Sequence, residues 1–282
     1  VPDLPEETPE WMRPVDGQRE PVDLRTHVAH PARVYDFALG GKTNFAADRE
    51  AAERTMSASP NMPTAARENR AFMHRAVRHL AGQGVRQFLD IGTGIPTSPN
   101  LHEVVQAVAP EARVVYVDND PIVLGHARAL LTSTAEGRTA YIDADLTDPA
   151  AILASEELGE VLDFHEPVAL TLFAVLHFLP ADLDQDEIVR RLLEPLPSGS
   201  YLAISHLTAD FAPDRVKRGV REYNTLSSTA LRYVDQPGME RFFSDLEMLE
   251  PGVVPAQRWR PDGPVTASDS DVCLYGGVAR KP

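Results

Sequence analysis

Apolar positions along the chain follow two alternating rhythms. Met73, Ala76, Val77 and Leu80 recur at i, i+3, i+4 and i+7, the stripe of a helix buried on one face. Thr64 is the expected cap of that helix, and Gly82 and Gly84 its end. The short run Val85 to Asp90 then reads as a strand. Ser98 as cap, with Pro99 at the first position, predicts a helix whose stripe is Leu101, Val104, Val105 and Val108. The unit repeats. Arg113 to Asp118 is a strand before a helix capped by Asp120 with Pro121 at its start, and Thr139 to Asp143 a strand before the turn opened by Asp148-Pro149. Val168 to Val175 is almost continuously apolar, as suits a central parallel strand covered on both faces. Asp184 with Glu187 predicts the cap of a helix carrying Ile188, Leu192 and Leu193. Tyr201 to His206 is a fifth strand. Met239, Phe242, Phe243 and Leu246 predict a further helix, and Glu247 to Val254 and Val272 to Ala279 two closing strands.

Strands alternating with helices of this length force an α/β fold, a mostly parallel sheet with right-handed crossovers and helices on both faces. Ligands bind such sheets beyond the carboxyl ends of the strands. Candidate chemistry therefore falls at five stations: the Asp90 to Pro96 turn, Asp118-Asn119, Asp145-Leu146, Phe173 to His177, and Ser205-His206.

Composition narrows the partners. The chain has 27 basic against 42 acidic residues, a net charge of -15, a field that repels phosphate backbones and anionic membranes. Only three of the basic residues are lysines (Lys42, Lys217, Lys281), so no Lys-rich tract offsets it. Cys273 is the single cysteine, which excludes an internal disulfide and a cysteine-based metal site. The longest uncharged stretch, Pro167 to Ala181, falls short of the roughly 18 apolar residues of a membrane span. No signal-peptide pattern opens the chain, and a soluble, cytoplasmic protein is expected, with no nucleic acid, membrane or metal among its partners. Prolines at 2, 5, 9, 14 and 21 among acidic residues predict a flexible arm over residues 1–24.

The first station reads Asp90-Ile91-Gly92-Thr93-Gly94-Ile95-Pro96. Two glycines one residue apart let the backbone turn sharply and approach a ligand closely. A dinucleotide site needs a third glycine and free helix N–H groups for the pyrophosphate. Here Thr97 stands at that glycine, and Pro96 and Pro99 remove donors, so the turn suits a ligand without a phosphate. Asp118, closing the second strand, can accept both hydroxyls of a ribose. Asp145 is either an acceptor for an adenine amino group or a solvated loop acid. Gly41-Lys42-Thr43 mimics the end of a phosphate-binding loop, but the earlier glycine that loop requires is Asp36. His27 and His30 fit turn or cap roles better than metal ligation.

These residues resemble a known family. Asp90-x-Gly92-x-Gly94, Val117-Asp118 and Asp145-Leu146 match the cofactor stations of class I S-adenosylmethionine-dependent methyltransferases. More narrowly, the chain resembles the actinobacterial S-adenosyl methyltransferase family once labelled DUF574. The likeness rests on Arg33 to Asp36, Gly40 to Arg49, Gln87 to Gly94, Tyr116 to Pro121 and Gly277 to Lys281. It implies a Rossmann-like, seven-stranded sheet over residues 85–282, a helical N-terminal cap over residues 25–84, and S-adenosylmethionine as cofactor. Expected cofactor contacts are Asp90, Ile91, Gly92, Thr93, Gly94, Asp118, Asn119, Asp145, Leu146, Phe173 and Ala174, with Asn44 and Arg70 from the cap. Where the class has a third motif glycine, this chain has Pro96.

The sulfonium is already activated, so the protein mainly positions an acceptor, with a base where the acceptor carries a proton to lose. His177, His206 and Tyr35 are the candidates for that role, with a packing or rim position the alternative for each histidine. The expected function is methyl transfer to a small-molecule acceptor. A non-catalytic sensor of the cofactor or its product is the alternative, and a nicotinamide oxidoreductase is opposed by Pro96 and Thr97.

Overall fold

The structure, a computed structural model, describes residues 23–130, 132–227 and 229–282, with the side chains of 128–130 set aside; the expected arm lies outside the described residues except for its last two positions. Helices α1 (Pro31–Ala38), α2 (Ala46–Ala58) and α3 (Met62–Gly82) precede the sheet. Then come β1 (Gln87–Ile91), α4 (Leu101–Gln106), β2 (Arg113–Asp118), α5 (Pro121–Leu130), β3 (Arg138–Asp143), α6 (Pro149–Leu153), α7 (Glu156–Val161) and β4 (Ala169–Phe173). The chain continues with α8 (Gln185–Leu193), β5 (Tyr201–Leu207), α9 (Pro213–Leu226), α10 (Gln236–Arg241), β6 (Glu247–Met248), β7 (Val254–Pro255), α11 (Asp269–Val272) and β8 (Leu274–Arg280).

Strand order is β3-β2-β1-β4-β5-β8-β6, with β7 also on β8; the first five strands are parallel and β8 runs antiparallel to β5. The expected strand over Glu247 to Val254 is split. Its halves pair with opposite ends of β8, β6 with Ala279 and Arg280 and β7 with Tyr275 and Gly276, so eight strands fill seven positions.

The sheet is buried on both faces, and alternation along each strand feeds two cores. Leu89, Ile91, Val115 and Val117 pack with Ile188, Leu192 and Leu193 of α8, whereas Phe88, Val114 and Tyr116 pack with Phe72, Val77 and Leu80 of α3. A third, smaller core joins α1, α2 and α9 through Val34, Ala51, Ala52 and Tyr223. Among the described residues no helix is long and apolar enough to cross a membrane.

Two helix starts and one helix end are displaced. α3 begins at Met62 rather than beyond Thr64, because Asn61-Met62-Pro63 places a proline in its first turn. α4 is capped by Asn100, whose box with Glu103 outcompetes Ser98; the Ser98 hydroxyl donates to Glu103 instead. α10 ends at Arg241, and Phe242 and Phe243 enter the core from the turn beyond it. Asp120, Asp148 and Asp184 cap as expected, each accepting from backbone N–H groups of its helix.

Candidate functional site

A cavity of about 460 Å³ opens beyond the carboxyl ends of β1 to β4. Its floor is the turn after β1. Gly92 has φ +75° and Gly94 φ +70°, the left-handed region that favours glycine. The two glycines face differently. A Cβ on Gly92 would lie 2.3 Å from Val175, whereas one on Gly94 would meet no protein atom within 4 Å and would enter the cavity. Gly94 N donates to Asp118 Oδ2 at 2.8 Å and Asp120 N to Asp118 Oδ1 at 3.0 Å. Asp118 is thereby fixed with lone pairs left over, and burial raises its carboxyl above the usual range. Asn119 links this station to the next by donating to Asp145 Oδ2 at 2.7 Å.

Asp90 lies deeper, with Thr171 donating to its Oδ1 at 2.6 Å. Burial pushes its carboxyl up to about 6, with the nearby Asp118 charge adding to the effect and Thr171, Thr93 and Arg70 opposing it. Arg70 gives Nη2 to the carbonyls of Thr97 and Pro99 while still lining the cavity. The entrance to α4 has few donors to spare: Asn100 Oδ1 takes Thr97 N, and Glu103 takes Asn100 N. A pyrophosphate would find those groups engaged.

Ile91, Thr93, Leu146, Phe173 and Ala174 also line the cavity, as does Tyr35 from α1. Asn44 does not. Its side chain donates to Asp36 Oδ2 at 2.8 Å and to Gly41 O at 3.1 Å, inside the loop after α1. Asp36 also accepts from Thr43 N at 2.9 Å, and a Cβ on Gly41 would lie 2.0 Å from its carboxylate. The stretch that mimics a phosphate loop is therefore folded around an acid.

The two histidines sit differently. His206 is fully buried, stacked 5.8 Å from Phe242, and burial pulls its imidazole down to about 4. Its Nδ1 donates to Leu207 O, and its side chain does not line the cavity. A strand end buried on both faces turned this side chain away from the ligand edge. His177 lies outside the main cavity and lines a second one of about 130 Å³.

Sequence reasoning missed the groups that hold the helical segments to the sheet. Tyr35 donates to Ala66 O at 2.9 Å and accepts from Asn69 Nδ2 at 3.0 Å; Ser205 donates to Asn69 Oδ1, and Ala174 N donates to Ser205 Oγ at 2.9 Å. This chain of bonds runs from α1 through α3 to the ends of β5 and β4, where it supports Ala174 at φ +53°. Arg33, 2% exposed, forms a second clasp, with Nε 3.1 Å from Asp120 and Nη1 3.7 Å from Asp48. His30 Nδ1 approaches Asp120 Oδ2 to 3.1 Å, nearer than its 3.4 Å from Ala32 N, so the carboxylate is its main partner. Among the described residues no group of three or more side chains is placed to hold a metal.

Residues 17–282 match the model of the family described as S-adenosyl methyltransferase. A DUF574 family protein from Streptomyces avermitilis MA-4680 is 54% identical, with a TM-score of 0.90 over 92% of this chain and 100% of that one. A solved structure from Thermobifida fusca YX is 41% identical, with a TM-score of 0.84 over 92% and 97% of the two chains. An O-methyltransferase family protein from Burkholderia thailandensis, 14% identical with a TM-score of 0.51 over 78% and 58%, shares the fold. No curated protein matches.

Proposed function

The chain belongs to the S-adenosyl methyltransferase family, and on that premise we propose that it methylates a small molecule admitted beside the 460 Å³ cavity. The enzyme is an S-adenosylmethionine-dependent methyltransferase, and its cofactor when bound supplies an electrophilic methyl group.

The observation that carries the site assignment is the pairing of Gly94 with Asp118. An open Cα and a carboxylate held by two backbone N–H groups fit a nucleoside approaching closely with its hydroxyls toward Asp118. Asp145, steadied by Asn119, stands where an adenine amino group would be met. Arg70 keeps part of its guanidinium for a carboxylate, and Asp90, lining the same cavity, would take the ammonium of the same amino-acid end. Leu146, Ile91 and Phe173 supply apolar contact. Tyr35, tied to Ala66 and Asn69, positions ligand and excludes water rather than moving a proton; burial holds its phenol up to about 12.

Catalysis here is positioning. The test is accumulation of S-adenosylhomocysteine when the protein meets S-adenosylmethionine and an ultrafiltrate of cell extract. Turnover with the ultrafiltrate supports a small acceptor, whereas turnover only with the macromolecular fraction overturns it.

A further inference from the structure

Pro31, Tyr35, Ala174 and Phe178 line both cavities, so the smaller one, about 130 Å³, adjoins the larger at a shared waist. It extends between α2, α3, α9 and β8. Its walls are largely apolar, with Met62, Val216, Val220 and Leu231 among them. An apolar hole of about 150 Å³ takes one benzene ring, so this chamber has the size of a single six-membered ring.

Its polar groups are donors. Tyr223 is 2% exposed, and among the described residues its hydroxyl makes no hydrogen bond of full geometry; Ser227, one turn on, only eases its ionisation. Burial raises that phenol far above neutrality. His177 Nδ1 accepts from Leu207 N at 3.3 Å, which leaves the ring proton on Nε2, and burial beside His206 keeps the imidazole neutral. The Arg215 Nε is a third buried donor without a partner among the described residues. The charges of Arg215 and Asp271 offset each other, and Asp271 is occupied by Asn61 and Ser268. The Cys273 thiol donates to Ser270 O. Tyr35 has already given its proton to Ala66 O. Each titratable group around the chamber is thus a donor or already engaged.

Resting on the methyltransferase reading above, we propose that this chamber holds the acceptor, an uncharged single-ring nitrogen heteroaromatic with a hydrogen-bond-accepting substituent, methylated on its ring nitrogen. Apolar walls penalise an ammonium or a carboxylate. Unmatched donors inside select a ring that carries an acceptor atom such as a carbonyl oxygen. Among the described residues, the titratable side chain at the waist is Tyr35, which keeps its proton, so the nucleophile presented there must already have a free lone pair. A neutral ring nitrogen has one, whereas a phenol must first lose its proton. The nitrogen lone pair forms the new N–CH3 bond as the C–S bond breaks with its electrons left on sulfur. The positive charge passes from sulfur to the ring, and no proton moves. The cationic product is then disfavoured in the apolar chamber and leaves for solvent.

The experiment uses the full chain loaded with S-adenosylhomocysteine and measures binding of pyridine-3-carboxamide, benzamide, 3-hydroxybenzamide and pyridine-3-carboxylate. Turnover of each with S-adenosylmethionine is followed by mass. The two unsubstituted amides should bind alike, only pyridine-3-carboxamide should be methylated, and the carboxylate should bind more weakly. Tyr223→Phe should weaken both amides about three- to tenfold and leave S-adenosylhomocysteine affinity unchanged. Val216→Phe, which fills the chamber, should block the rings alone. Oxygen methylation of 3-hydroxybenzamide, tighter binding of the carboxylate, or no ring binding to a protein that still binds S-adenosylhomocysteine overturns the proposal while sparing the methyltransferase reading. Failure to bind S-adenosylhomocysteine removes both.

Discussion

Gly94 donates its backbone N–H to Asp118 Oδ2 at 2.8 Å, so the turn after β1 and the carboxylate ending β2 act as one unit. Asp118→Ala removes the ribose acceptor and releases two backbone donors. S-adenosylhomocysteine affinity should fall by one to two decades, on the order of 1.5–3 kcal/mol. Calorimetry on the folded variant checks this, and undiminished affinity would leave Asp118 with a bracing role only.

Gly92 and Gly94 should respond differently to the same substitution. Gly92→Ala drives a Cβ to 2.3 Å from Val175 and should lower the melting temperature more than Gly94→Ala does. Gly94→Ala shares the left-handed strain, roughly 1–2 kcal/mol, but its Cβ enters ligand space. Cofactor affinity should therefore suffer most at Gly94. Equal affinity in Gly94→Ala and the parent protein would place the ligand elsewhere.

Arg33 sits between Asp48 and Asp120, both essentially buried. Arg33→Met removes the shared cation from two buried carboxylates, which keep only their hydrogen bonds from His30, Phe45 and Ile122, and should cost about 3–5 kcal/mol of unfolding free energy, read by urea denaturation. A loss below about 1 kcal/mol would mean the clasp adds nothing to stability.

How much of this was legible in the sequence depended on the size of the buried side chains. β2 and β4 announced themselves through Val and Leu packed on both faces. α2 and α9 did not. Their buried faces are Ala51, Ala52 and Thr55 on one, and Val216, Gly219 and Tyr223 on the other, set among charged residues. The α2 face leaves little periodic signal; α9 is amphipathic, but its stripe is interrupted by Gly219, where a Cβ would sit 3.0 Å from Ser59 Cβ. The strand-end acids and glycines of the main cavity were readable from motif and spacing. The bonds joining Tyr35, Asn69, Ser205 and Ala174 were not, since they link four separate segments of the chain. The choice between a catalytic and a packing role for His206 could not be made from sequence, because a strand buried on both faces offers a histidine a core position as readily as a ligand edge.

Asp90 makes stability depend on pH. Its folded value, about 6, lies above the unfolded 3.8, so the native state holds the extra proton in between. Its contribution is therefore best below that unfolded value and declines as pH rises through about 6, by roughly 3 kcal/mol in all. Asp90→Asn removes the titration and should flatten the stability profile across that window while weakening cofactor binding. A variant that keeps the full slope would assign it to another group.

Asn69→Leu should break the chain of bonds between Tyr35 and Ser205, leaving both hydroxyls short of a partner at a cost of about 1–3 kcal/mol. Hydrogen exchange should quicken in α1 and at Ala174 before the sheet is affected. Unchanged protection at both places would show that the two segments are held independently.

The most direct measurement is calorimetric titration of the full chain with S-adenosylhomocysteine and, separately, with NAD. The Gly94–Asp118 unit and the engaged donors ahead of α4 require one-to-one binding of the sulfur nucleoside, a strong loss in Asp118→Ala, and far weaker binding of NAD. Tighter binding of NAD, or S-adenosylhomocysteine binding that Asp118→Ala leaves intact, would contradict the assignment of this cavity.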